Sequence, residues 1–599
     1  MVASPRVSMP LAPIDWILIV SYFALSLAIG LAYRKRAESS LEEYFLSGRS
    51  LPWWMAGTSM VATTFAADTP LAVTGLVVRN GIAGNWFWWA FALGGMVTVF
   101  VYARLWRRAG VMTDVELVEI RYGGKPAAFL RGFRAIYIAF LVNSIIVGWV
   151  TAAMVNILKF TVLSGTEAAA GGWDLTIIIV LFLVVGLYST LSGLWGVVVT
   201  DFVQFLLAMG GCIVFAFYAV AHVGGMTALR ERLISGHAGG SQILYFLPDF
   251  GAADPWMPID IFLIMIFVQW WASWYPSAEP GGGGSVVQRM ASCRDEKHAV
   301  LATLWFQIAH YCLRPWPWLL VALAALATYP DLRSLPDPGV GYPMLIRDIA
   351  PAGLRGILLV AFLAAYMSTI STQINWAASY LVGDVYVRFL RPDAGKSGLG
   401  SVARWASILV TLFGVAASWL MRDIAVDEAW KLLAALGAGT GAVFMLRWFW
   451  WRINAWSEIS SMAASLVYFL IVSRYVESNE RRLAVVALLT LVTWLLVTFL
   501  TRPEKAEVLE AFYQRIRPGG GGWQPIAAKL PGVDVDRNLV KSVAAAFLAT
   551  GVVYLTLPGM GYLLFGQGSA ATLSLGGALV CGTLAYLLVR NVGWEKIVR

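Results

Sequence analysis

Charge is scarce in this chain. Only 13% of the 599 residues are Asp, Glu, Lys or Arg, against 59% from the hydrophobic set, where a globular protein carries about 25% charged residues; mean hydropathy is +0.70. Cysteine is scarce too. Cys212, Cys293, Cys312 and Cys581 stand singly in or beside apolar runs with no CxxC spacing, which excludes a readable disulfide frame or zinc site. No HExxH, no GxSxG and no paired His/Cys set is present, so hydrolytic and metalloenzyme chemistry has no support. No long polar Pro/Ser-rich linker divides the chain into the several soluble domains that ~150 residues per domain would require. The bilayer has to be the solvent.

An apolar helix needs about 20 residues to cross about 30 Å of hydrocarbon. Such stretches begin near residues 14, 51, 84, 133, 174, 196, 259, 299, 353, 401, 426, 454, 481, 539 and 562, fifteen in all. The first, from Ile14 to Tyr33, is followed by Arg34, Lys35 and Arg36 and preceded only by Arg6, the reverse of a signal peptide. It reads as a retained span entering from outside. Fifteen spans then put the C-terminus in the cytoplasm, and most Lys and Arg fall on the inner side. The net charge of +9 is thereby a topological feature, and nucleic-acid binding loses its only support. The amphipathic run from Asp114 to Arg134 is expected to lie at the interface, and the stretches near 174 and 196 to be separate passes. An integral protein of a bacterial inner membrane is expected, with a small-molecule solute and the lipid bilayer as its partners; nothing names a protein partner.

Two spans cannot be ordinary helices. The second carries Ala62-Thr63-Thr64-Phe65-Ala66-Ala67-Asp68-Thr69-Pro70 at mid-depth, and the seventh carries Tyr275-Pro276-Ser277-Ala278-Glu279-Pro280 followed by Gly281 to Gly284. Unpaired backbone at that depth is tolerated only where protein or a watery cavity satisfies it. Each break opens a block of five spans, 51–223 and 259–451, and an odd block length means opposite orientation. Inverted repeats that begin with interrupted helices hold substrate and ions at the midplane in secondary transporters. Residues 1–50 form an N-terminal helix and inner loop, 452–501 two accessory helices, 502–538 a cytoplasmic loop and 539–599 two final helices. The fold class is therefore an all-α polytopic membrane protein.

The ninth span contains Ala365-Tyr366-Met367-Ser368-Thr369-Ile370-Ser371-Thr372-Gln373-Ile374-Asn375, in which Ser368, Ser371, Thr372 and Asn375 share one face. Such hydroxyls could complete an oxygen shell for a hard cation begun by the carbonyls of a broken helix, or could simply back-bond and pack between helices.

The run Gly48-Arg49-Ser50-Leu51-Pro52-Trp53-Trp54, Thr200-Asp201 followed by Gln204, Gln288-Arg289, Met367-Ser368-Thr369 and Trp451-Arg452-Ile453-Asn454 together resemble the solute:sodium symporter family, which includes sodium/glucose, sodium/proline and sialic acid transporters. The resemblance covers roughly residues 14 to 500. It implies a LeuT-like five-plus-five inverted-repeat core with one extra N-terminal and about four extra C-terminal helices, and alternating access with Na+ as coupling ion. It also implies a sodium site made of the carbonyls of Ala62, Phe65 and Ala365 and the hydroxyls of Ser368 and Thr369. Asp201 matches an acid implicated in sodium release or coupling. Thr64 stands where proline-type members carry an acid, and the residue set of the sugar members has no clear match, so the resemblance does not name the solute.

Asp68, Glu279 and Arg314 are ionisable at mid-depth, which makes them site candidates. The acids could accept hydrogen bonds from a solute, or Arg314 could neutralise one of them. His310 reads as a packing residue. Trp271 and Trp274, just before the second break, are placed to cover a ligand. Acids with aromatic faces suit a sugar or polyol, or an amine held by cation-π contact; a monocarboxylate would need Arg314 free. Alternatives are an amino-acid, amine or monocarboxylate symporter, a proton-coupled transporter of the same fold, and a transporter-like sensor, for which 502–538 is too short an output domain. No enzymatic turnover of the solute is expected.

Overall fold

The computed structural model describes residues 11–592 apart from 38–39, 171, 237–239, 253–254, 256, 274–277, 393–398 and 536–537. Among the described residues the chain is helical, with no strand beyond a single bridge between Leu51 and Cys293. Ten helices are long and apolar enough to cross a bilayer, and two further spans are pairs bent at a break. The three remaining expected spans are also helical but shorter or interrupted. Asp174–Gly186 and Ile259–Ala272 are short apolar helices, and the stretch from 299 forms Glu296–Ile308 and Pro315–Thr328 on either side of a π-helical turn, Ala309–Leu313.

The first expected break is present: Trp53–Thr64 and Thr69–Asn80 meet at 55°. Pro70 has no N–H for the carbonyl of Ala66, which instead accepts from Thr69 N, while Phe65 leaves the helix at φ −91, ψ 75. At the second break, helix stops at Ala272 and resumes at Gly284–Ser292. Gly281, Gly282 and Gly284 between them have φ of 78°, 84° and 53°, a region costly for residues with a Cβ. A third break was not expected. Val426–Leu436 and Thr440–Leu446 meet at 59° around Gly437 and Gly439. The second and third breaks meet where Gly439 N donates to Ala272 O (2.8 Å), and Leu436 O at the third break accepts from Ser465 Oγ of the Ala455–Val472 helix (2.8 Å), as backbone away from water requires.

Asp174–His222 is assigned as helix throughout, which at 1.5 Å per residue would reach about 73 Å, more than twice the hydrocarbon thickness. Its contacts show two passes. Asp174 pairs with Lys159, Phe182 meets Gly414 and Trp195 stacks on Tyr33. Further on, Gln204 reaches Tyr22 and Gly211 packs on Ile357, while Asp15, seven residues before Tyr22, bonds the backbone of Gly353 and Gly356. The chain therefore runs toward the Tyr33 end of the bundle before Gly186 and back toward the Asp15 end after Leu194.

The Asp114–Arg134 run departs from expectation. Its first part holds the short helix Leu117–Arg121, but Gly124–Ile136 continues through a π-helical turn into Asn143–Phe160 as one span. The charge of Arg134 is accommodated inside the protein by Glu458, 3.0 Å away, so that face needs no contact with headgroups.

Candidate functional site

The last turn of Trp53–Thr64 lies against the middle of Leu354–Ser379. Thr369 Oγ1 donates to Thr63 O at 3.0 Å, and the hydroxyls of Thr63 and Thr372 are 3.5 Å apart. Phe65 follows two residues later, and among the described residues no hydrogen bond reaches its carbonyl. Ala62 O receives only a 3.1 Å bond from Phe65 N across the break. Ala365 lies in unbroken helix, where a carbonyl engaged with one N–H keeps a second lone pair. Ser368 donates its proton to Asp201, which also receives the Ser59 hydroxyl at 2.5 Å. A hydroxyl that donates keeps its lone pairs for a cation, and a carboxylate behind it makes the oxygen a better ligand. Thr369 thus meets the last turn of the broken helix, and Ser368 is linked to the same helix through Asp201 and Ser59; with the carbonyls of Ala62, Phe65 and Ala365 the expected set has the all-oxygen chemistry that a small hard cation takes. Asp201 is no helix-end charge at the surface; it is buried between the Leu194–His222 helix and this contact.

One neighbour was quoted in the sequence only as part of a motif. Arg289 is buried beside the contact, donating to Thr372 Oγ1 (2.9 Å), Thr63 Oγ1 (3.3 Å) and Ser59 Oγ (3.3 Å), with Asp201 4.0 Å away. Its place on a short helix after the second break ties the two broken spans together through one guanidinium.

A cavity of about 70 Å³ opens beside the first break, with Thr63 and Thr369 of this helix contact in its wall. Asp68 and Thr69 border it together with Thr64, His310, Arg314 and Gln373, and its aromatic walls are Trp88, Phe91, Trp149, Phe306, Tyr311 and Trp430. Asp68 is buried; Oδ2 accepts from Trp430 Nε1 at 2.8 Å, and Oδ1 has no hydrogen-bond donor among the described residues. Arg314 does not pair with Asp68. Its Nη1 donates to Val61 O (3.1 Å) and Thr64 Oγ1 (2.9 Å), and its Nη2 to His310 Nδ1 (2.7 Å). The π-helical turn produces this aim. Pro315 offers no N–H, Arg314 N bonds five residues back to Ala309 O, and both His310 and Arg314 border the cavity. Because arginine can only donate, Nδ1 of His310 is an acceptor and the ring proton sits on Nε2. His310, expected as packing, is therefore a wall of the cavity as well as the brace of Arg314.

Glu279 is buried against Gly283 and Gly284 at the second break, which among the described residues borders the cavity through Ala278. Trp271 is half-buried, with its indole donating to Phe267 O one turn back and its carbonyl packed on Gly441, so it does not cover this cavity. Trp274 lies outside the described residues. Trp149 and Trp430, which do face the cavity, come from spans where nothing in the sequence distinguishes them from other tryptophans.

The profile of the sodium:solute symporter family matches residues 44–465. The chain is 25% identical over 493 residues to the sodium/mannose cotransporter of Bos taurus, covering 76% of this chain and 78% of that one. It is 24% identical over 484 residues to the sodium/glucose cotransporter of Vibrio parahaemolyticus, covering 76% and 84%. Among solved structures, the substrate-bound outward-open state of a sodium-coupled sialic acid symporter matches with a TM-score of 0.65 at 23% identity, over 82% of this chain and 99% of that one, a likeness of fold.

Proposed function

The chain belongs to the sodium:solute symporter family, an integral membrane transporter with Na+ as coupling ion, and from that premise we propose that its solute is a neutral sugar or polyol. The observation that carries this reading is the buried Oδ1 of Asp68, with no donor within hydrogen-bond distance among the described residues, in a cavity walled by Trp88, Trp149, Tyr311 and Trp430. A carboxylate oxygen takes a sugar hydroxyl, and indole and phenol faces pack on the apolar face of a pyranose ring. A monocarboxylate is disfavoured because the guanidinium of Arg314 is already engaged by Val61, Thr64 and His310. Proton coupling through His310 is disfavoured because its Nδ1 is held as an acceptor beside a permanent cation.

In this reading sodium is held by Ala62, Phe65, Ala365, Ser368 and Thr369, and solute by Asp68, three residues beyond Phe65. The same break then serves both, which makes coupling local. Sodium bridges the broken span to the Leu354–Ser379 helix and fixes the direction in which the chain leaves Phe65, and that direction sets where Asp68 stands. Asp201, donated to by Ser368, is the residue through which loss of the ion would be felt toward the Tyr33 end. The test is a thermal-stability screen of the purified protein with hexoses, polyols, amines and carboxylates, in sodium and in choline, since a ligand that prefers the folded state raises its stability. Stabilisation by a hexose or polyol in sodium alone supports the reading. Stabilisation by amines or carboxylates alone overturns the solute class while leaving the family intact.

A further inference from the structure

A second cavity, of about 310 Å³, lies away from the transport site, between the Gly124–Phe160 span, the third break and the Ala455–Val472 helix. Its wall is apolar apart from Arg134 at one end, the phenol of Tyr137 and Thr440 at the break. It is continuous with the lipid-facing surface, since Phe129 and Phe133 at its mouth are 60% and 43% exposed and Leu466 is 39% exposed, and on a membrane-spanning chain such side chains meet acyl chains. Arg134 is buried, with Nη1 on Glu458 at 3.0 Å, Nη2 3.8 Å from Asp114 and its guanidinium over the Phe444 ring at 4.6 Å, yet its Nε–H has no acceptor among the described residues. A buried donor without a partner costs free energy and asks for an acceptor.

The cavity is also polarised along the bundle. Arg134 and Phe444 lie near Glu458, at the start of the Ala455–Val472 helix, whereas Val142, Leu433 and Leu466 lie further along toward the third break. We propose that this cavity holds one acyl chain of a bilayer phospholipid. An ester or phosphate oxygen of the lipid accepts from Arg134 Nε, and the chain runs past Tyr137 and Val142 to lie against Leu433 and Leu436 beside Gly437. Continuity with the bilayer supplies the ligand, the orphaned donor supplies the polarity, and the third break makes occupancy consequential. A chain seated there fills the space into which Val426–Leu436 and Thr440–Leu446 would move relative to Gly124–Phe160.

The test is photo-crosslinking of the full chain in liposomes of phosphatidylethanolamine and phosphatidylglycerol. Two probes are used, each a phosphatidylglycerol with a diazirine either near the ester or near the end of one acyl chain. The ester-proximal probe should label Phe133 and Ile459, and the terminal probe Val142 and Leu466. Both should exceed severalfold the labelling of Leu573 and Leu579, which lie on the open lipid face of the last helix. Ala463→Trp, at an exposed position on the cavity wall, should reduce labelling to that background, with Leu466→Trp giving the same comparison should Ala463→Trp not insert. Labelling no greater than at Leu573, a reversed order of the two probes, or labelling indifferent to the tryptophan overturns the proposal.

Discussion

Ser368 does two things with one hydroxyl. Its proton goes to Asp201 and its lone pairs remain for a cation, so at the proposed sodium site the carboxylate would act on the ion through the alcohol. Asp201→Asn keeps the shape but weakens that polarisation, and outer partners of this kind are worth roughly 10–100-fold in metal affinity. The sodium concentration for half-maximal uptake is expected to rise by about that much, measured as sodium-dependent uptake in proteoliposomes; an unchanged sodium dependence would remove Asp201 from the coupling path. Asp68→Asn should act on the other ligand. A hydrogen bond to a charged group contributes about 1.5–3 kcal/mol, so solute affinity should fall by about tenfold or more while the sodium requirement moves little. Asp68 was legible in the sequence because an ionisable residue inside an apolar run stands out, and Asp201 because Thr200-Asp201 followed by Gln204 resembles a family motif. What was not legible is whom they meet. Arg314 was open either to an acid or to a solute; the π-helical turn directs its guanidinium to Val61, Thr64 and His310, and no periodicity predicts an inserted residue in a helix.

Among the elements, the broken spans decide the architecture. The first two could be read because Pro70 and the run Gly281 to Gly284 cannot sit in continuous helix. The third, Gly437-Ala438-Gly439, was hidden because glycine is frequent in membrane helices and merely kinks many of them. Gly439 has φ 89°, and a Cβ there would stand 2.5 Å from that of Thr490. Gly439→Ala should therefore lower the melting temperature of the purified protein, with a cost of about 1–3 kcal/mol from strain and overpacking together. A melting temperature equal to that of the parent would mean that the third break relaxes freely. The two short passes Asp174–Gly186 and Leu194–His222 were separated correctly by length, since a single helix of their summed length would overrun the bilayer. The surroundings of Glu279 were not legible, because the glycines that break its span also let the chain fold back over its carboxyl.

At the scale of the molecule, a largely apolar core encloses charges that the fold has to hold away from water. One lies in a connection outside the spans. Burial pushes the Asp337 carboxyl up to about 6, with the Gly339 N–H opposing and Asp427 adding to the rise. A carboxyl raised in the folded state binds its proton more tightly there than when unfolded. Stability therefore increases as pH falls through about 6 toward the ordinary carboxylate value, and decreases as pH rises through the same window. Asp337→Asn can still accept from Gly339 N, and should flatten this dependence and raise stability near neutral pH by about 2 kcal/mol; melting curves across that pH window would contradict it by keeping their slope.

The central claim is that one alkali ion joins the carbonyls freed at Phe65 to the alcohols of the Leu354–Ser379 helix. Equilibrium binding of radioactive sodium to the purified protein without solute tests it most directly, comparing the parent, the Ser368→Ala/Thr369→Ala double variant and Asp68→Asn. Saturable binding should be kept in the parent and in Asp68→Asn and lost in the double variant, with all three equally folded in the absence of sodium. Saturable binding of undiminished affinity in the double variant would contradict the account.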